Sequence, residues 1–303
     1  MTGVLADRRF WPGVAAFGTA AAWIYDTRLA VLLAVWIFAW GVNAVLARSE
    51  AAAPRSLVPV IFGATLLGLW ELVVRLYDVS PIILPAPSAI GVAFGANLGI
   101  LWADFVQTII KGALMGYVIG CGAAFLAALA IDRSPFLQRG LLPVGNFIAA
   151  LPIVGTAPIF VMWYGFGPGS KAAVVVAMVF FPMLVNAVQG LKASEPMQRD
   201  LMHTYAASYW QSLVKLRLPM AMPFLFNGLK ICTTLALIGA IVAEFFGSPT
   251  VGMGFRIKIS VGALDMGLVW AEITVAAIAG SGFYGLMALA ERAMTFWHPS
   301  QRG

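Results

Sequence analysis

The chain has 303 residues, of which 61% are hydrophobic and 11% charged. A soluble domain carries about 45–50% apolar and about 25% charged residues, so a soluble globular fold is excluded. The net charge of +6 is then first a matter of membrane topology and only second a hint of nucleic acid.

Apolar runs long enough to cross roughly 30 Å of hydrocarbon recur along the chain. The alternating ~10-residue segments of a membrane β-barrel do not. The fold class is therefore an all-α polytopic membrane protein. The opening MTGVLADRRFWPG sets Arg8 and Arg9 ahead of apolar sequence without a small-residue cleavage site, which predicts a retained anchor. Two shorter runs follow, 11–25 and 29–46, as a hairpin or as one bent segment, and a polar break at ARSEAAAPRS closes them off. Six further spans are predicted at 57–77, 106–130, 141–164, 172–191, 221–245 and 267–290. Pro143, Pro152 and Pro158 interrupt one of these and Pro182 the next. In GALMGYVIGCG, Gly112, Gly116 and Gly120 share one helical face. Such a face serves tight packing within the subunit, or lets helices rock around a central path.

Cations orient the set. With the loop at 192–219 in the cytoplasm, the inner side receives Arg8, Arg9, Arg48, Arg55, Arg133, Arg139, Lys192, Arg199, Lys215, Arg217, Arg292 and Arg302. The outer side holds Arg28, Arg75, Lys111, Lys171, Arg256 and Lys258. The excess of basic residues inside supports this orientation and puts both termini in the cytoplasm.

The segment HTYAASYWQSLVKLRLPMAMP, from His203, gathers hydroxyls, amides and cations in an otherwise apolar chain. Pro196 suits a helix start, with two to three turns over Met197 to Ala206. Ser208 followed three residues later by Gln211 forms a capping box, predicting a second helix from Tyr209. Pro219 ends that stretch or begins the next span. Two short helices at an angle result, exposing Tyr205, Tyr209 and Trp210. On residues alone this is either a polar interfacial loop anchored among headgroups or a rigid elbow whose aromatics fill a groove on a soluble partner.

Other positions admit chemistry. GFGPGSK at 165–171 has Gly-Ser-Lys where a phosphate-cradling loop needs Gly-Lys-Ser/Thr after a strand, so it reads as a turn and the chain has no nucleotide site of its own. Glu71 and Arg75 at i, i+4 predict an ion pair. Glu244 closes the outer end of its span, facing the pathway or sitting at the interface. Asn146 and Asn186 are intramembrane amides, for helix–helix hydrogen bonds or for solute. Lys230 is expected to snorkel to the cytoplasmic face. Cys121 and Cys232 read as buried thiols, and the isolated His203 and His298 make no metal site.

The polar segment resembles the Glu-Ala-Ala loop in membrane subunits of bacterial ATP-binding-cassette (ABC) importers. That pattern has a Gly four residues after the second Ala, an Ile ten later and a closing Leu-Pro. Here Asp200, Leu201 and Met202 take the opening places, Ala206 the Gly place and Leu216 the Ile place, while Leu218-Pro219 match outright. Ala206 removes a helix terminator and leaves the sharpness of the bend open. LWELVVRLYDVSPIILPAPSAI, LPIVGTAPIFVMWYGFGPGSK and IVAEFFGSPTVGMGF extend the resemblance over roughly residues 65–295. They are similar to the branch of nitrate, taurine, alkanesulfonate and bicarbonate permeases that includes permeases for riboflavin and the thiamine pyrimidine precursor. The DLM opening and the span GLKICTTLALIGAIVAEF lean toward the vitamin-precursor side.

The resemblance implies a six-helix type I importer permease core plus one or two extra N-terminal membrane helices. Residues 1–55 would be the hairpin or anchor, 56–295 the permease domain with its coupling loop at 192–219, and 296–303 a cytoplasmic tail. It implies a homodimer, two ATPase subunits carrying ATP and Mg, and a periplasmic or lipid-anchored solute-binding protein. The coupling residues would be Asp200, Tyr205, Ala206, Ser208, Tyr209, Trp210, Gln211, Leu218 and Pro219, with Asn146, Asn186 and Glu244 as candidate pathway residues. An ion-driven secondary transporter and a non-transporting scaffold are the rival readings.

Overall fold

The computed structural model describes residues 26–47, 52–149, 151–247 and 250–297. All regular structure among them is helical: α1 (Thr27–Ala47), α2 (Ala52–Leu76), α3 (Pro87–Ala96), α4 (Leu98–Arg133), α5 (Pro135–Ala149), α6 (Ile153–Tyr164), α7 (Pro168–Lys192), α8 (Pro196–Thr204), α9 (Tyr209–Gly247), α10 (Met253–Gly262) and α11 (Met266–Met294). Six helices among the described residues, α1, α2, α4, α7, α9 and α11, are long and apolar enough to cross a membrane. The run 11–25, Arg8, Arg9, Arg48, His298 and Arg302 lie outside the described residues.

Two expectations change. The single span foreseen at 141–164 is divided between α5 and α6, with Pro152 extended at ψ 111° ahead of α6. A proline removes a ladder hydrogen bond and biases its predecessor away from helix, so the helix ends there. Pro143 and Pro158 stay inside their helices, as membrane helices tolerate when neighbours resatisfy the backbone. Conversely, Pro219 falls in the first turn of the α-helical stretch Leu218–Gly247, as the beginning of a span would have it, but no break precedes it, because α9 runs on from Tyr209 to Gly247. Just before it, Leu213–Arg217 forms a π-helical turn. That wider register lets the helix pass a residue with no N–H to offer.

The chain forms two compact units. The first comprises α1, α2, α3 and the opening residues of α11. Trp36 meets Phe62 edge-on at 6.0 Å between α1 and α2, and the Tyr77 hydroxyl donates to Asp26 at 3.0 Å. The foreseen Glu71–Arg75 pair is present at 2.6 Å. Glu71 does more than pair, since it accepts the N–H and hydroxyl of Ser88 at 3.0 and 2.7 Å. It thereby satisfies an orphan donor at the start of α3.

The second unit holds α4 to α10 and the rest of α11. Its centre is three helices meeting along i, i+4 ridges. Gly112, Gly116, Gly120, Ala124 and Ala128 form the ridge of α4; Val175, Val179, Met183, Ala187 and Leu191 that of α7; Gly228, Cys232, Ala236 and Ala240 that of α9. All are buried, and ridges of this kind interdigitate. The glycines are there for close approach: a Cβ on Gly116 would stand 2.5 Å from the Val175 Cβ and 2.9 Å from the Ala172 carbonyl oxygen. Cys121 and Cys232 are free thiols in this core. The Tyr117 hydroxyl donates to the Leu229 carbonyl oxygen at 3.2 Å, and its ring meets Phe283 at 4.9 Å.

Candidate functional site

The polar elbow between α7 and α9 is closed at each of its ends by local hydrogen bonds. Pro196 is the first residue of α8, preceded by a capping box in which the Glu195 N–H donates to Gln198 Oε1 at 3.2 Å. At the far end the Ala206 N–H donates to the His203 carbonyl (2.9 Å) and the Ala207 N–H to the Met202 carbonyl (3.0 Å). This pair of bonds is a Schellman motif, which needs a left-handed residue after the helix. Ala206 supplies it at φ +52°. The bend therefore forms without glycine, at a cost of about 1–2 kcal/mol of local strain. Two residues later the foreseen capping box starts α9: the Ser208 N–H donates to Gln211 Oε1 at 2.8 Å, and the Gln211 N–H to Ser208 Oγ at 3.3 Å.

The elbow is tied to the core by one arginine. From the π-helical turn, Arg217 donates to both oxygens of Asp132, at 2.8 and 2.5 Å, near the end of α4. Its Nε and Nη2 also donate to the Leu191 carbonyl oxygen at 3.1 and 2.9 Å. Leu191 lies in the last turn of α7, where carbonyls have no intrahelical partner. The Tyr209 hydroxyl adds a third bond to Asp132 at 2.8 Å. The Arg133 guanidinium stands over the rings of Tyr209 and Trp210, at 4.2 and 4.6 Å, within cation–π range.

The predicted aromatic face is thus split. Tyr209 is half-buried and packs against the core cluster, contrary to the exposed setting foreseen for it. Its hydroxyl can satisfy Asp132 only by turning inward. Tyr205 and Trp210 stay outside at 76% and 57% exposure, with Met197 at 80% and Leu201 at 55%. Met197, Leu201 and Tyr205 are spaced i, i+4, i+8, so a helix presents them as one apolar stripe. Asp200 is exposed on α8 and accepts the Thr204 hydroxyl at its carbonyl oxygen. Leu218 packs against the core cluster and Pro219 lies within α9. Sequence reasoning missed Asp132 and Arg133; the only signal was charge at the end of an apolar run.

The other candidates separate. Asn186 donates to the Pro182 carbonyl oxygen at 2.8 Å and accepts from Asn227 at 3.0 Å, linking α7 to α9. Asn146 lies in α5, and its side chain is outside the described residues. Lys230 does not snorkel: it pairs with Glu291 of α11 at 2.6 Å, which is cheaper in an apolar bundle than a lone charge. Of the 165–171 stretch only 165–167 form a turn, with Gly165 at φ +74°, and Pro168 to Lys171 are the first residues of α7. Among the described residues no group of three or more His, Cys, Asp or Glu is placed to hold a metal ion.

Glu244 is buried inside the second unit, with no exposure. It accepts the Thr108 hydroxyl at 2.6 Å and the Gly254 N–H at 3.2 Å. Beside it the Gly252 N–H donates to Asp104 at 2.6 Å and the Met253 N–H to Thr108 Oγ1 at 2.8 Å. Three successive amides at the start of α10 thus meet buried oxygens, as orphan donors at a helix N-terminus require. Gly252 is obligatory here, because its φ is +133° and a Cβ would stand 2.5 Å from the Glu244 carboxyl.

Six apolar helices among the described residues, a glycine-lined three-helix core and a rigid polar elbow define a polytopic helical membrane protein. Residues 116–296 match the family described as binding-protein-dependent transport system inner membrane component. The chain belongs to that family. It is 30% identical to a probable ABC transporter permease protein of Haemophilus influenzae, over 73% of this chain and 89% of that one. It is likewise 30% identical to a riboflavin transport system permease protein of Chloroflexus aurantiacus, over 78% and 88%. A formylaminopyrimidine transport permease protein of Halalkalibacterium halodurans is 27% identical, over 82% and 98%. The chain is accordingly a multi-pass inner-membrane permease component of an ABC importer for a small solute.

Proposed function

We propose that two copies of this chain form the solute pathway, and that each elbow at 192–219 docks in a cleft of one cytoplasmic ATPase subunit. ATP and Mg belong to that partner, and a periplasmic or lipid-anchored binding protein delivers the solute. Both termini face the cytoplasm in this reading, as the distribution of cations favours.

The observation that carries it is the combination of a rigid elbow with an unpartnered apolar stripe. Two capping boxes and a Schellman motif fix the bend between α8 and α9, and Arg217 braces the start of α9 against the ends of α4 and α7. Met197, Leu201, Tyr205 and Trp210 meanwhile stay exposed. A lever transmits force only if it does not bend, and a partner shifts the permease only through different contacts in its two states. The exposed aromatics suit a groove on a soluble protein.

For the solute, a vitamin-precursor-like heterocycle is favoured over sulfonate, nitrate or bicarbonate. A cavity of about 430 Å³ is lined by Leu151, Ile153, Thr156, Ile159, Phe160, Trp163, Ala177, Met178, Pro182 and Leu235. Its lining is aromatic and aliphatic with one hydroxyl and no cation, which suits a flat neutral solute better than an anion. The riboflavin and formylaminopyrimidine permeases among the relatives agree with that chemistry.

The test is co-purification with the ATPase after Trp210→Ala combined with Tyr205→Ala. Association and solute-stimulated ATP hydrolysis are expected to fall, with membrane insertion unchanged. Intact association would remove the docking role. Uptake that survives deletion of the ATPase would replace the whole reading with ion-driven transport.

A further inference from the structure

The interior of the second unit contains more carboxyl groups than it has donors for. Asp104 of α4, Glu244 of α9 and Glu272 of α11 are each without solvent exposure. Their donors are unequally shared. Asp104 accepts Arg256 Nε at 2.8 Å and the Gly252 N–H at 2.6 Å. Glu244 accepts the Thr108 hydroxyl and the Gly254 N–H on one oxygen, and Lys171 of α7 is close enough to act on it. Glu272 has no hydrogen-bond donor at either oxygen. Asp104, itself an acceptor, is close enough to act on it, as are Arg256 of α10 and Glu244.

A carboxylate deprived of both water and donors costs several kcal/mol, about as much as any buried unpaired charge. A carboxylic acid at the same place has an O–H to give, and Asp104 has lone pairs to receive it. The count of charges agrees with the count of donors. Asp104, Glu244 and Glu272 set against Arg256 and Lys171 leave one negative charge in excess, and one proton removes it.

We propose that Glu272 is a proton-binding site: it is held as a carboxylic acid donating to Asp104, which makes the buried cluster neutral and joins α11 to α4 and to the Gly252–Gly254 turn. Glu272 is then the acid of the cluster, while Asp104 and Glu244 are each served by an N–H and a further donor.

The test is infrared spectroscopy of the purified full-length permease in lipid nanodiscs, titrated from acid to alkaline pH. A protonated-carboxyl C=O band is expected at neutral pH. It should shift when the protein is made with isotopically labelled glutamate and not with labelled aspartate, and this arm needs no mutation. The band should be absent from Glu272→Gln and present in Glu244→Gln. A spectrum with no such band, a band that follows aspartate labelling, or one that persists in Glu272→Gln would each overturn the assignment.

Discussion

Arg217 is where the elbow and the bundle are held together, and its removal gives a quantitative test. The residue makes two bonds to Asp132 and two to the Leu191 carbonyl oxygen, with side-chain exposures of 13% for Arg217 and 9% for Asp132. Breaking a buried pair by removing one partner costs about 3–5 kcal/mol. The remaining exposure and the surviving Tyr209 bond reduce this, so Arg217→Gln is expected to cost about 2–3 kcal/mol, a roughly 30- to 140-fold loss of the braced elbow. Arg217→Lys keeps a charge but not the planar fork, and should cost about 1–1.5 kcal/mol. The assay is a double-mutant cycle with Asp132→Asn, reading thermal stability in detergent and the ratio of solute imported to ATP hydrolysed. Coupling between the sites should exceed about 1 kcal/mol, and transport should fall more than hydrolysis. Additivity within about 0.5 kcal/mol, the usual result for independent sites, would refute the brace.

Four further outcomes are expected. Ala206→Gly relieves the left-handed strain, offset in part by unfolded-chain entropy, and should stabilise by up to about 1 kcal/mol with transport kept; Ala206→Val should lower the yield of folded permease, because a β-branched residue resists positive φ. Gly252→Ala drives a methyl group into the Glu244 carboxyl and should abolish a cooperative thermal transition, whereas Gly262→Ala, with nothing within 4 Å, should be silent. Tyr209→Phe loses only the bond to Asp132, costing about 0.5–1.5 kcal/mol in a melting curve. Glu291→Gln strands Lys230 in a bundle where both partners are mostly covered, and should destabilise by about 2–4 kcal/mol in detergent melts.

Much of the elbow was legible from local spacing. The start of α8 at Pro196 and the Ser208–Gln211 box at the start of α9 depend on residues three positions apart, and both occur where the spacing places them. The substitution of Ala206 for glycine was legible too, but not its consequence. The backbone takes φ +52° because two Schellman bonds and the Ser208 cap constrain it from either side. Tyr209 shows where local reading ends. Nothing near it in sequence announces that Asp132, 77 residues earlier, would accept its hydroxyl.

Hydropathy alone determined that this chain lives in a bilayer, and it located most of the spans, because the cost of exposing polar backbone to lipid leaves helices as the only open-chain solution. Charge counting proposed an orientation, and glycine spacing on α4 foretold a close-packed face. Only the tertiary structure decided which charges meet. Gly252 and Asp104 lie 148 residues apart, Arg217 and Asp132 85 apart, and Lys230 and Glu291 61 apart. A buried charge has to find a partner wherever the packing of helices brings one within reach, and neither composition nor periodicity contains that choice.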